Sequence, residues 1–160
     1  MFDSDGDKAL EGAKKRSLKI LGSRQMSSSR MEKRLIEKGE TEENARAAVL
    51  WLEKIGAIND KLYAESICSY YSKKGYGLTR IKDELYKRGI DRDLWDEATC
   101  TIEKEDTNDA ALKFLHKRLR GSSDRQELRR AAEALCRRGF GYDDAKKAIN
   151  EYLENLEIYE

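Results

Sequence analysis

A short run of Leu, a basic residue and Gly returns every 50 residues: Leu35-Ile36-Glu37-Lys38-Gly39, Leu85-Tyr86-Lys87-Arg88-Gly89 and Leu135-Cys136-Arg137-Arg138-Gly139. The same period carries Ala48, Ala98 and Ala148, the apolar positions Met31, Ile81 and Ala131, and the set Leu52, Ile102 and Tyr152. A period that runs through both flanks of a motif marks tandem copies of one supersecondary unit, each too small to bury its apolar face alone. The fold is constrained accordingly: neighbouring copies must share side chains.

Each copy reads as helical. The 160 residues contain no Pro and a single Val, whereas Lys, Arg, Glu, Leu and Ala, which lose little rotamer freedom in a helix, dominate. In the second copy three apolar stripes recur at spacings of three or four: Tyr63, Ile67, Tyr70 and Tyr71; Leu78, Ile81 and Leu85; Leu94, Trp95, Ala98 and Ile102. Gly39, Gly89 and Gly139 each follow a basic last turn, the signature of a left-handed residue closing a helix whose negative end faces cations. Starts are predicted by capping boxes at Ser29-Arg30-Met31-Glu32 and Asp124-Arg125-Gln126-Glu127, and by Asp91 ahead of the third stripe.

These signals predict an all-α fold of three tandem three-helix repeats of about 50 residues, forming an elongated, curved, solenoid-like body. The expected divisions are an acidic, flexible segment at 1–12, then repeats at 13–56, 57–106 and 107–160. Leu, Ile, Val and Phe make up only 31 of 160 residues, but the net charge of +1 does not force disorder. No run of 18 apolar residues exists, and the acidic start lacks the basic-then-apolar layout of a signal peptide. A soluble, cytoplasmic chain with no membrane segment is expected. The three cysteines, Cys68, Cys100 and Cys136, form no CxxC pair and read as small buried apolar residues.

Near-neutral charge conceals an alternation. Residues 13–38 carry nine basic and two acidic groups, 57–90 seven and four, and 111–139 nine and three. The segments that follow invert the sign, with two basic groups against four acidic at 39–56, two against eight at 91–110 and two against six at 140–160. The first two helices of every repeat are therefore basic and the third acidic, an electrostatic footprint for a polyanion or an acidic protein surface. A helix-turn-helix that reads duplex sequence places its last helix in the major groove. Here that helix holds Asp91, Asp93, Asp96, Glu97, Glu103 and Glu105, which phosphates repel.

No catalytic constellation is legible. His116 is the single histidine and has no Cys or carboxylate at a ligand spacing, so it reads as a partly exposed helical residue, and no metal or cofactor is expected. Gly75-Tyr76-Gly77-Leu78-Thr79-Arg80 lacks the pattern that cradles phosphates and reads as a helix end with a tight turn. Ser27-Ser28-Ser29 precedes a helix and supplies an N-cap in place of a nucleophile. Trp51, Trp95 and most tyrosines fall on apolar stripes, while Tyr76, between two glycines, is expected to be exposed.

The second repeat resembles a known family. Gly56-Ala57-Ile58-Asn59-Asp60, Tyr63-Ala64, Lys73-Lys74-Gly75-Tyr76-Gly77, Arg80-Ile81-Lys82-Asp83-Glu84-Leu85 and Arg88-Gly89 are similar to the signature region of RecX regulatory proteins. The first repeat follows more loosely through Arg30-Met31-Glu32-Lys33-Arg34-Leu35 and Lys38-Gly39, and the third through Leu135-Cys136-Arg137-Arg138-Gly139-Phe140. The chain departs from that pattern at Leu78, where the family usually has Pro, and at Leu62, where a basic residue usually precedes the aromatic.

The resemblance implies three three-helix repeats and a modulator, usually an inhibitor, of the RecA recombinase. Such a protein binds the RecA filament on single-stranded DNA and suppresses its ATPase, strand-exchange and coprotease activities. Any direct binding of single- or double-stranded DNA is expected to be weak, and near-balanced charge leaves the oligomeric state open, with a monomer as the default expectation. On this reading the basic face of repeats two and three carries the interaction: Lys73, Lys74, Arg80, Lys82, Lys87 and Arg88, with Arg118, Arg120, Arg125 and Arg129, and Tyr76 packing at the interface. Arg137 and Arg138 are assigned instead to helix ends. A nucleic-acid-binding helical module without a recombinase partner, and a scaffold binding other proteins, stay open from the residues alone.

Overall fold

In the computed structural model, which describes residues 4–102 and 104–158, every regular element is helical. Three helices, α1 (Ser4–Leu21), α2 (Ser28–Glu37) and α3 (Glu42–Lys54), make the first triplet. The second comprises α4 (Asp60–Lys73), α5 (Leu78–Lys87) and a divided third element, a 3-10 turn at Arg92–Leu94 running into α6 (Trp95–Thr99). The last consists of α7 (Lys104–Leu119), α8 (Arg125–Arg137) and α9 (Tyr142–Ile158). The tandem three-helix organisation expected from the 50-residue period is present. α1 begins at Ser4, so residues 4–12 of the acidic segment are helical.

The chain forms two compact units, and the second triplet contributes to both. One unit is Met1–Ala64 with Tyr86–Leu94; the other is Glu65–Leu85 with Trp95–Glu160. In the first, Ala13, Met31, Leu35, Ala45, Ala48 and Leu52 are fully buried where α1, α2 and α3 meet, and Ile20 and Trp51 pack at the edge. In the second, Ala111, Leu115, Ala131, Leu135, Ala148 and Tyr152 play the same part for α7, α8 and α9. Tyr152 is wholly buried without an unmet polar atom: its hydroxyl accepts from the Gly121 amide at 3.0 Å and donates to the Ser122 carbonyl at 3.2 Å.

The predicted helix stops hold. Gly39, Gly89 and Gly139 have φ of +99°, +72° and +95°, the left-handed conformation that costs an L side chain 1–2 kcal/mol, roughly. Asp124 caps α8 by accepting from the amides of Gln126 and Glu127, both at 3.0 Å, and Asp91 accepts from the Asp93 amide at 3.0 Å. The cap of α2 is Ser27, not Ser29: its Oγ accepts from the Arg30 amide at 3.3 Å and donates to the Arg88 carbonyl at 2.6 Å. The sequence offers three consecutive serines, and the one that also meets the end of α5 takes the position. Ser28 is held by Asp60, whose carboxylate accepts from its amide at 2.8 Å.

Three expectations change. The third stripe of repeat two does not reach Ile102 as one helix, because the hydroxyls of Thr99 and Thr101 donate back to the carbonyls of Asp96 and Ala98 and close the helix early. Of the cysteines only Cys68 is buried; Cys100, in the turn after α6, and Cys136, in the last turn of α8, are exposed. Tyr70 and Leu78 are 52% and 43% exposed despite their places in apolar stripes.

A candidate polyanion groove

The end of α4 and the face of α7 line one groove of about 800 Å³ in the second unit. α4 supplies Ser72 and Lys73, followed by Lys74 and Gly75 in the turn; α7 supplies Asp106, Asp109, Ala110, Lys113, Phe114, Lys117 and Arg118; Arg138 enters from the end of α8. Six cations against two carboxylates give the groove a positive balance. The spacing is helical in origin, because Lys113 and Lys117 stand one turn apart along α7 and so share a face, which Arg118 flanks.

Aromatic rings organise the cations. Tyr70, Tyr71 and Tyr76 contact edge to face, with centroids 5.1 Å and 5.8 Å apart along the series. The Lys74 ammonium lies 4.5 Å from the Tyr70 ring centroid, and its hydrogen bond with Tyr70 holds its pKa above the ordinary lysine value, so it is fully charged at neutral pH. The Arg138 guanidinium lies 4.7 Å from the Tyr76 centroid and 5.2 Å from that of Phe114, and Arg118 sits 6.0 Å from Phe114. Tyr76, expected to be exposed, is half-buried because these side chains cover it.

The sequence-derived residues divide. Lys73, Lys74 and Arg118 line the groove, and Tyr76 lies beneath it. Arg80 is 3.1 Å from the carboxylate of buried Glu84 and 5.6 Å from the Tyr76 ring, a position that ties it to its own helix. Lys82 is half-buried on α5, while Arg120 and Arg125 are exposed at the end of α7 and the start of α8. Arg129 is 3.3 Å from Glu133 and lines a separate apolar groove with Leu128, Ala132, Cys136, Tyr142 and Ile149. Lys87 and Arg88 belong to the first unit. Lys113, Lys117 and Arg138 were missed. The first two carried a legible signal in their one-turn spacing, whereas nothing local to Arg138 pointed to α4.

His116 is exposed and lies edge-on to Tyr152, with centroids 5.0 Å apart. Among the described residues no cluster of His, Cys, Asp and Glu could hold a metal ion, and no helix is long and apolar enough to cross a membrane. The structure thus defines an all-helical tandem-repeat protein with a cationic, aromatic-lined groove.

Comparison with known proteins gives the class its name. Models of the second and third three-helix domains of RecX match residues 59–98 and 105–149. The regulatory protein RecX of Xanthomonas campestris pv. campestris (strain B100) is 32% identical over 142 residues, covering 88% of this chain and 87% of the relative. That of Clostridioides difficile (strain 630) is 27% identical over 153 residues, covering 92% and 71%. The crystal structure of RecX from Lactobacillus salivarius shares the fold, with a TM-score of 0.83 at 23% identity over 91% of this chain and 97% of that one. The chain belongs to the RecX family of regulatory proteins.

Proposed function

We propose that the chain binds the RecA filament on single-stranded DNA and lowers its ATPase, strand-exchange and coprotease activities, acting by binding alone and without catalysis of its own. Membership of the RecX family supports the partner. The observation that carries the mode of action is the groove in which lysines of the second repeat and cations of the third line one surface. A filament presents phosphates and acidic side chains at regular intervals, and several modest ionic contacts to such a lattice sum to tight binding. The reading places the protein in the cytoplasm with its partner and as a monomer.

Charge reversal tests the groove. Lys113→Glu, Lys117→Glu and Arg118→Glu together should abolish filament binding while helicity by circular dichroism is unchanged, because all three side chains are exposed. Full retained binding refutes the groove assignment.

A second reading has its own support in Tyr70, which is 52% exposed beside Lys74 and could stack on an unpaired base. A direct nucleic-acid binder of that kind shows tight affinity for naked single strands with a steep salt slope. A filament regulator binds naked DNA weakly.

A further inference from the structure

Arg138 closes α8, yet its side chain leaves that helix and reaches Lys74, Gly75, Tyr76 and Phe114. Nε donates to the Gly75 carbonyl and Nη2 to the Lys74 carbonyl, both at 3.4 Å. Those carbonyls follow the last turn of α4, where backbone acceptors have no intrahelical partner and the helix presents its negative end. The guanidinium also lies against the rings of Tyr76 and Phe114, 4.7 Å and 5.2 Å from their centroids. One side chain thereby joins the end of α4, the start of α5, α7 and α8.

We propose that Arg138 is the positioning residue of the groove, fixing the Lys73–Lys74 turn relative to the cations of α7 and leaving ligand contact to the lysines and Arg118. The proposal rests on the groove reading above. The fork of donors and the delocalised charge are what the position uses: two carbonyls accept from it while two rings lie within cation–π distance of it. Lysine keeps the charge but offers a compact ammonium that cannot do both. A contribution from charge alone would survive that exchange, whereas a positioning role would not.

The test compares Arg138→Lys with the wild-type protein and with Lys117→Gln, which deletes one groove charge. Amide hydrogen exchange at Gly75, Tyr76 and Gly77 reports the turn, and the salt needed to elute the protein from heparin reports its affinity for a polyanion. Arg138→Lys should speed exchange at these three amides and elute at least as early as Lys117→Gln although its net charge is unchanged. Wild-type behaviour in either measurement overturns the proposal. Phe114→Leu, which removes one of the two rings against the guanidinium and no charge, should shift both readouts in the same direction and stands in if Arg138→Lys does not fold. In titrations of RecA ATPase, Arg138→Lys should raise the midpoint about tenfold. If the wild-type protein itself leaves that ATPase unchanged, the filament reading fails while exchange and heparin elution still decide the role of Arg138.

Discussion

Gly77 and Gly139 pack backbone to backbone: a Cβ on Gly77 would lie 2.3 Å from the Gly139 carbonyl, and one on Gly139 would lie 2.5 Å from the Arg80 amide nitrogen. The amides of Gly77 and Thr79 donate to the carbonyls of Arg138 and Gly139 at 2.9 Å and 3.0 Å. The start of α5 thus meets the end of α8, donor-rich end to acceptor-rich end. In the first unit the same junction occurs 50 residues earlier, where Ser27 at the start of α2 meets Arg88 and Gly89 at the end of α5. The period in the sequence is the period of this contact.

Gly77→Ala should therefore destabilise the protein by about 3 kcal/mol, because neither backbone can retreat without breaking the two hydrogen bonds. Gly12→Ala is the control: nothing lies within 4 Å of its Cβ and it sits inside α1, so a gain of about 0.5–1 kcal/mol is expected. Urea denaturation of both variants reads the difference. Equal stabilities would refute the close junction.

Ser27→Ala should cost about 1–2 kcal/mol, since it removes the cap of α2 and leaves the Arg88 carbonyl without its Oγ donor. Ser29→Ala should change stability by only a few tenths, because Ser29 is exposed within the first turn of α2. The same denaturation assay ranks the two, and the reverse order would return the cap to Ser29.

Thiol titration should separate the cysteines. Burial pushes the Cys68 pKa up to about 11, with a further push from Glu65, so at pH 8 it is a protonated, shielded thiol. Cys100 and Cys136 are exposed. An aromatic disulfide reagent should modify two thiols quickly in the native protein and the third only on unfolding. Three fast thiols would contradict the packing of α4.

Most of the architecture was legible because its signals are local or periodic. Helix stops at Gly39, Gly89 and Gly139 announced themselves through a left-handed residue after a basic turn, and Asp124 through its box of four residues. What was not legible depends on partners far along the chain. Arg138 looks like any helix-end cation until Gly75, 63 residues earlier, is brought beneath it. Tyr76 looks exposed between its glycines until that guanidinium covers it, and only Ser27, of three serines, meets the end of α5. Lys113 and Lys117 share a visible helix face, yet their relation to Lys73 and Lys74 exists only once α4 and α7 line one groove.

The most direct test of the central claim is single-strand-dependent ATP hydrolysis by RecA from the same source, titrated with the protein below one copy per RecA subunit. An unrelated basic protein serves as the control. The account predicts loss of hydrolysis at such ratios, no effect of the control, and relief of inhibition when Lys113, Lys117 and Arg118 are reversed to Glu. Unchanged hydrolysis at equimolar protein, together with tight retention of naked single-stranded DNA, would contradict it.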